Sequence, residues 1–354
     1  MSVDWKTFIG NSDWNDNFEE QQNKWGYLNN PRWQTSPLPS VNYTGDEENE
    51  PQAWSLPGRG YSSGNSVRHI PCGHWHKEII PISAIPKVYI GDIFNEVQAF
   101  TINGALVYKF GSGGTGPGQF TIPGPRGIHI YNDEIYVVDG PGNRVEVFDL
   151  LGNFVRQIGS AGTGNGYFDS LRDVYVYNDY VYTVEADVQT PPYGVRVQKW
   201  SLSGSYISSF KPPDRGLGSA NCLTVLGNRI YVSTIEVCSY TLNFSGDWPT
   251  LGTVVDYFNP GWANSAVQLV AYNGSIYAAC GASDVKNLTQ KLAFVSQFDA
   301  LSVQGLDVYD DEVFTICSSE DTVRVYSLTG ALKREWMIHT EKHVYSAKYG
   351  LRVY

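Results

Sequence analysis

The stretch RGIHIYNDEIYVVD (Arg126–Asp139), continued by RVEVFDLLGN (Arg144–Asn153) and FVRQIG (Phe154–Gly159), reads as four short strands in succession. Apolar and β-branched side chains fill the runs, and turn-forming residues separate them. Asn132-Asp133 is a pair that tolerates positive φ, as a two-residue hairpin requires. The same hairpin recurs in VYVYNDYVYTVE from Val174, LTVLGNRIYVST from Leu223, LVAYNGSIYAAC from Leu269 and LDVYDDEVFTIC from Leu306. The residues before the turns are Tyr131, Tyr177, Leu226, Tyr272 and Tyr309, spaced 46, 49, 46 and 37 residues apart. That spacing is the length of a four-stranded propeller blade.

A second register repeats with the first. Phe100, Phe148, Trp200 and Tyr326 each precede a glycine by four residues (Gly104, Gly152, Gly204, Gly330). Ten residues after each aromatic stands another large apolar side chain: Phe110, Ile158, Phe210 and Trp336. The sixth unit is split between the two ends of the region. GLRVY (Gly350–Tyr354) matches a first strand up to its pre-turn tyrosine, and KVYIGD (Lys87–Asp92) matches the second strand that should follow it. The expected fold is therefore all-β: a six-bladed β-propeller over residues 87–354, closed by its C-terminal strand, which removes two exposed sheet edges. The fifth unit lacks the aromatic-x3-glycine element and is short, so its count of strands stays open at this stage.

PGPRGIHIYNDEIYVVDGPGNRVEVFDLLGNFVRQIG (Pro123–Gly159) resembles the NHL-repeat propellers nearly throughout, and the linkers GSGGTGPGQF from Gly111 and GSAGTGNGYF from Gly159 look like that family's inter-blade connections. The resemblance spans about residues 87–354, close in the second blade and weak in the fourth and fifth. It implies a six-bladed ring, and it raises the lyases of the family, which hold zinc with several channel histidines. Here His129 is matched by Tyr175, Thr224, Val270, Asp307 and Arg352 at the equivalent positions, so a zinc lyase is not expected. RNA binding, known for some NHL propellers, would need a basic face, yet from Lys87 onward 19 basic residues stand against 26 acidic ones.

Residues 1–86 differ in character. They show no period of 2 or 3.6, contain the acidic run GDEENE, and carry Trp5, Trp14, Trp25, Trp33, Trp54 and Trp75. Such a segment has too little contiguous apolar surface for a core of its own. An irregular aromatic-rich arm of this kind is expected to pack on a partner, with those six tryptophans as its contacts.

Other chemistry is sparse. His69, Cys72, His74 and His76 have zinc-ligand side chains, but H-x2-C-x-H-x-H matches no common zinc module, so they stand as weak metal candidates with packing the expected role. Asp173, Asn221 and Asp307 offer oxygen ligands in the channel region, where structural roles are expected. GSGGTGPG is followed by neither Lys-Ser/Thr nor a helix, which excludes a phosphate loop. No G-x-S-x-G occurs, and His339 and His343 have no evident nucleophile. Five widely spaced cysteines (Cys72, Cys222, Cys238, Cys280, Cys317) suggest buried thiols rather than a disulfide framework.

The net charge of −11 argues against nucleic acid as a partner, and no apolar run is long enough to insert in a membrane. No secretory signal is expected from Met1–Lys6. The expectation is a non-catalytic, cofactor-free interaction propeller docked by its arm to other protein subunits. The setting expected is a bacteriophage virion: a tail, fibre-base or capsid-decorating protein made in the host cytoplasm, with a glycan or protein receptor on a propeller face. A metal-dependent propeller lyase or hydrolase, and a cytoplasmic or cell-surface bacterial scaffold, are the alternatives.

Overall fold

The computed structural model describes residues 86–92, 94–187, 194–212, 220–234, 236–242, 254–259, 266–280, 284–317, 319–338 and 351–354. The six arm tryptophans, the cluster of His69, Cys72, His74 and His76, and His339 and His343 lie outside them. Among the described residues twenty-four strands form six four-stranded antiparallel sheets, with no helix. In blade two the strands run Ile128–Tyr131, Glu134–Asp139, Arg144–Asp149 and Phe154–Ile158, from innermost to outermost. The other innermost strands are Leu171–Tyr177, Cys222–Leu226, Ala266–Tyr272, Val303–Tyr309 and the closing strand Leu351–Val353.

Closure follows the sequence register. Val88 pairs with Val353, Tyr89 with Arg352 and Ile90 with Leu351. Lys87 N–H donates to Tyr354 O at 2.8 Å, and Tyr354 N–H returns to Lys87 O at 3.0 Å. Blade one is thus built from Leu351–Val353, Lys87–Gly91, Val97–Thr101 and Leu106–Phe110.

Each sheet is covered on both faces by its neighbours, so the second strands read as unbroken apolar runs rather than alternating ones. Ile135, Tyr136, Val137 and Val138 are all buried. The core is accordingly six apolar layers, one per blade boundary. The aromatic at the equivalent place on each second strand is buried in every blade: Tyr89, Tyr136, Tyr182, Tyr231, Tyr277 and Phe314.

The outer-turn glycines and the large residues of the outermost strands prove to be partners across these boundaries. A Cβ on Gly104 would meet the Trp336 ring at 2.4 Å, on Gly152 the Phe110 side chain at 2.6 Å, and on Gly330 Phe298 at 2.4 Å. These three outer turns need positive φ and a bare Cα, because the large outer residue of the preceding blade packs beneath each. Blade five answers the open strand count. It has four strands, Ala266–Tyr272, Ser275–Cys280, Asp284–Thr289 and Phe294–Asp299. Leu288 replaces the aromatic, and Leu292 occupies the glycine position at φ 57°, buried in the layer that Phe258 joins. Among the described cysteines, Cys222, Cys280 and Cys317 are buried as expected; Cys238, not placed on a strand by sequence, is likewise buried, within Val237–Thr241.

Inner hairpins show why tyrosine precedes the turn. Asn132-Asp133, Asn178-Asp179, Asn273-Gly274 and Asp310-Asp311 hold positive φ at both positions, and Gly227 does so before Asn228. The pre-turn hydroxyl then reaches the next blade's turn. Tyr131 Oη donates to Asp179 Oδ1 at 2.9 Å, Tyr272 to Asp311 Oδ1 at 3.1 Å, and Tyr354 to Asp133 Oδ1 at 3.0 Å. Replacing Tyr131, Tyr272 and Tyr354 together by Phe should lower unfolding stability by roughly 1–2 kcal/mol, because such bonds to solvent-screened carboxylates are each modest. Urea unfolding measures this; a triple variant with the wild-type midpoint and slope would show the clasps to be passive.

Candidate functional site: the channel and its mouth

The innermost strands line a central channel, and the residue two before each pre-turn position faces its middle. Sequence reasoning aligned this layer as His129, Tyr175, Thr224, Val270, Asp307 and Arg352, and four of these side chains interact directly. The His129 and Tyr175 rings lie 4.1 Å apart, the Arg352 guanidinium sits 5.5 Å above Tyr175, and Arg352 Nη1 stands 3.5 Å from Asp307 Oδ1. His129 is buried, which pushes its pKa well down, with the Arg352 charge adding to the effect. It is a neutral imidazole that donates to the Val176 backbone.

Asp307 is a strut. Its Oδ1 accepts Val308 N–H at 2.9 Å and its Oδ2 accepts Val353 N–H at 2.6 Å, which ties blade six to the closing strand. Asp173 repeats the device: Oδ1 accepts Val174 N–H at 2.9 Å and Oδ2 accepts Leu223 N–H at 3.0 Å, joining blades three and four. Asn221 Nδ2 donates to Ala266 O at 3.2 Å, from blade four to blade five. The expected structural roles of all three are therefore found. Among the described residues no three His, Cys, Asp or Glu side chains come together as a metal site.

The glycine-rich connectors are structural too. Arg144 Nη1 donates to Thr115 O at 2.6 Å and Nη2 to Gln119 O at 2.8 Å, while its Nε lies 3.1 Å from Asp139 Oδ2 and 2.9 Å from Glu146 Oε1. Arg196 treats the next connector alike, donating to Thr163 O, Gly164 O and Tyr167 O, with its Nε on Glu185 Oε1 at 2.7 Å. Those loop carbonyls point at arginine, so the loops cradle a guanidinium rather than a phosphate.

One feature escaped the sequence reading. Where the innermost strands begin, the channel opens into a shallow depression lined by Arg126, Arg172, Asp173, Asn221, Gln268 and Gln304, with Gly127 and Val267. Arg126, Arg172, Asn221, Val267 and Gln304 are the same position in successive blades, five residues before the pre-turn residue. Counting back from each turn would have found them, but only hairpin and outer-strand positions carry an obvious signal. Gly140 makes room for Arg126, since a Cβ there would meet its Cδ at 2.6 Å. Burial pulls the pKa of both guanidiniums down, and at Arg126 the Arg172 charge contributes.

Comparison with known proteins agrees on architecture. A family model described as a 6-bladed beta-propeller matches residues 118–225. No curated protein matches the chain. Among solved structures, a protein of unknown function from Bacteroides caccae is similar, with TM-score 0.53 and 11% identity over 71% of this chain and 93% of that one. The computationally designed Ika8 protein gives TM-score 0.45 and 13% identity over 72% and 85% of the two chains.

Proposed function

We propose that this chain is a non-catalytic interaction propeller: a rigid ring of NHL-like blades presenting binding surface, attached through residues 1–86 to a larger protein assembly. The observation that carries this reading is the use of the channel's carboxylates. Asp173 and Asp307 each accept two backbone N–H groups, one from the neighbouring blade. A general acid or base must meet a substrate's proton; these groups are committed to stiffness, and burial keeps His129 neutral. A stiff ring suits presentation, because binding then orders little that was not already ordered.

The assembly we favour is a bacteriophage virion, with the propeller as a tail, fibre-base or capsid-decorating component. Support comes from the organisation of the sequence, a tryptophan-rich aperiodic arm ahead of an acidic ring. The arm is tested by sedimentation of the full chain against a version starting at Lys87. The expected result is an assembled full chain and a monomeric, equally cooperative shorter one; identical sedimentation coefficients per chain would reject the arm's role. Antibodies raised on the propeller should decorate phage particles purified from the source population. Labelling confined to the cell lysate would remove the virion setting.

A further inference from the structure

Arg126 and Arg172 lie side by side on adjacent blades at the channel mouth, and among the described residues neither is paired with a carboxylate. Arg172 Nε is buried without an acceptor. Two neighbouring, half-buried guanidiniums repel each other and lose hydration, so leaving them unpaired is costly. The one carboxylate in the wall, Asp173, already accepts Val174 and Leu223 N–H. Ring stiffness does not require the pair, since the same position holds Asn221, Val267 and Gln304 in other blades. Planar guanidinium forks match a carboxylate or another oxyanion.

We propose that the channel mouth binds a carboxylate-bearing saccharide, with Arg126 and Arg172 holding the carboxylate and Gln268 and Gln304 holding sugar hydroxyls. The rest of the wall decides between anions. Amide side chains both donate and accept, as hydroxyl recognition needs, and Val267 offers apolar contact to sugar C–H groups. A phosphate would engage the two guanidinium forks alone and leave the amide and apolar parts of the wall unused. The glycine-rich connectors supply no compensating nest, because Thr115 O, Gly116 O and Gln119 O point at Arg144. This site stands on the propeller alone and does not depend on what the arm contacts.

Titration calorimetry of the full chain with D-glucuronate, D-glucose, acetate and inorganic phosphate tests it. Glucuronate should bind with a Kd on the order of a millimolar, as suits a small ligand in an open site. Glucose should not bind measurably, and acetate and phosphate should bind at least about tenfold more weakly, both for want of the sugar's contacts with the amide side chains and Val267. Arg126→Gln and Arg172→Gln should each weaken glucuronate at least about tenfold while leaving Tm equal or higher, because each removes a repulsion. Arg172→Lys, which keeps the charge but not the fork, should lose part of the affinity and guards against a folding artefact. Gln304→Ala should weaken glucuronate and leave acetate unchanged. Phosphate or acetate binding as well as glucuronate would overturn the saccharide assignment. Absence of glucuronate binding, or wild-type affinity in both Gln variants, would overturn the site.

Discussion

Leu351→Asp with Val353→Asp should leave this propeller unable to fold as a closed ring. Both side chains are buried in the layer between blades six and one, beside Val88, Ile90, Phe314 and Ile316. Losing two buried aliphatic side chains removes about 3–6 kcal/mol, and placing carboxylates there adds several more in desolvation. The closing strand's backbone bonds to Lys87–Gly91 and the Asp307 strut to Val353 N–H would go with it. The sum is of the order of a domain's whole stability, about 5–15 kcal/mol. Circular dichroism and gel filtration should show a non-cooperative, aggregating chain. As a control, Phe294→Asp with Val295→Asp makes the same chemical change on the exposed outermost strand of blade five and should cost little. A cooperative melt for the first variant within a few degrees of wild type would mean that the ring does not depend on this closure.

The blades were legible because their turns are chemically demanding. Positive φ at two successive residues confines the inner hairpins to Asn, Asp and Gly, so Asn132-Asp133 and its repeats stand out. The outer turns are legible where glycine sits over a large residue of the preceding blade, as Gly152 does over Phe110. Blade five hid its outer hairpin by putting leucine at both signal positions. Leu288, on the third strand, still pairs with Phe294 of the fourth, Leu292 accepts the left-handed backbone, and Phe298 keeps the ten-residue offset opposite Val285. In blade four the outermost strand begins only at Val254, so Phe258 falls eighteen residues after Tyr240 rather than ten, although it faces Val237 as its counterparts do.

The candidate site was legible only in part, for a different reason. The channel's middle layer could be aligned, because it lies a fixed two residues from a recognisable turn. Which backbone groups they hold could not be read. The sequence supports a structural role for Asp307 and Asp173, and only the neighbouring blade's N–H groups show what each of them ties down. The mouth arginines lie five residues from the same marker, with no turn or core constraint to single them out. Spacing reports what the backbone needs, and partners from a strand some 50 residues away in the chain leave no local trace.

Arg144→Met should cost about 3–5 kcal/mol from a single substitution, because it strands buried carboxylates rather than because it loses a cation. Asp139 and Glu146 are both fully buried, and Arg144 Nε is within 3.1 Å of each. Its other nitrogens fasten the connector carbonyls of Thr115, Gly116 and Gln119 to blade two. Methionine fills much of the volume, so packing is nearly kept and electrostatics dominates the loss. The pH dependence distinguishes this cause. Burial already pushes Glu146 up in the wild type, against the pull of Arg144. Without the arginine its folded pKa rises further above the unfolded carboxylate value of about 4.3. A folded pKa above the unfolded one means the penalty is full at neutral pH and fades as pH falls through the folded value, where the carboxyl takes up its proton. The variant's deficit in unfolding free energy relative to wild type should therefore be largest near neutrality and shrink as pH falls into the acid range. Arg196→Met should repeat the pattern in blade three, where burial pushes Glu185 up in the same way. A deficit independent of pH in both variants would assign the loss to the connector carbonyls instead of the stranded acids.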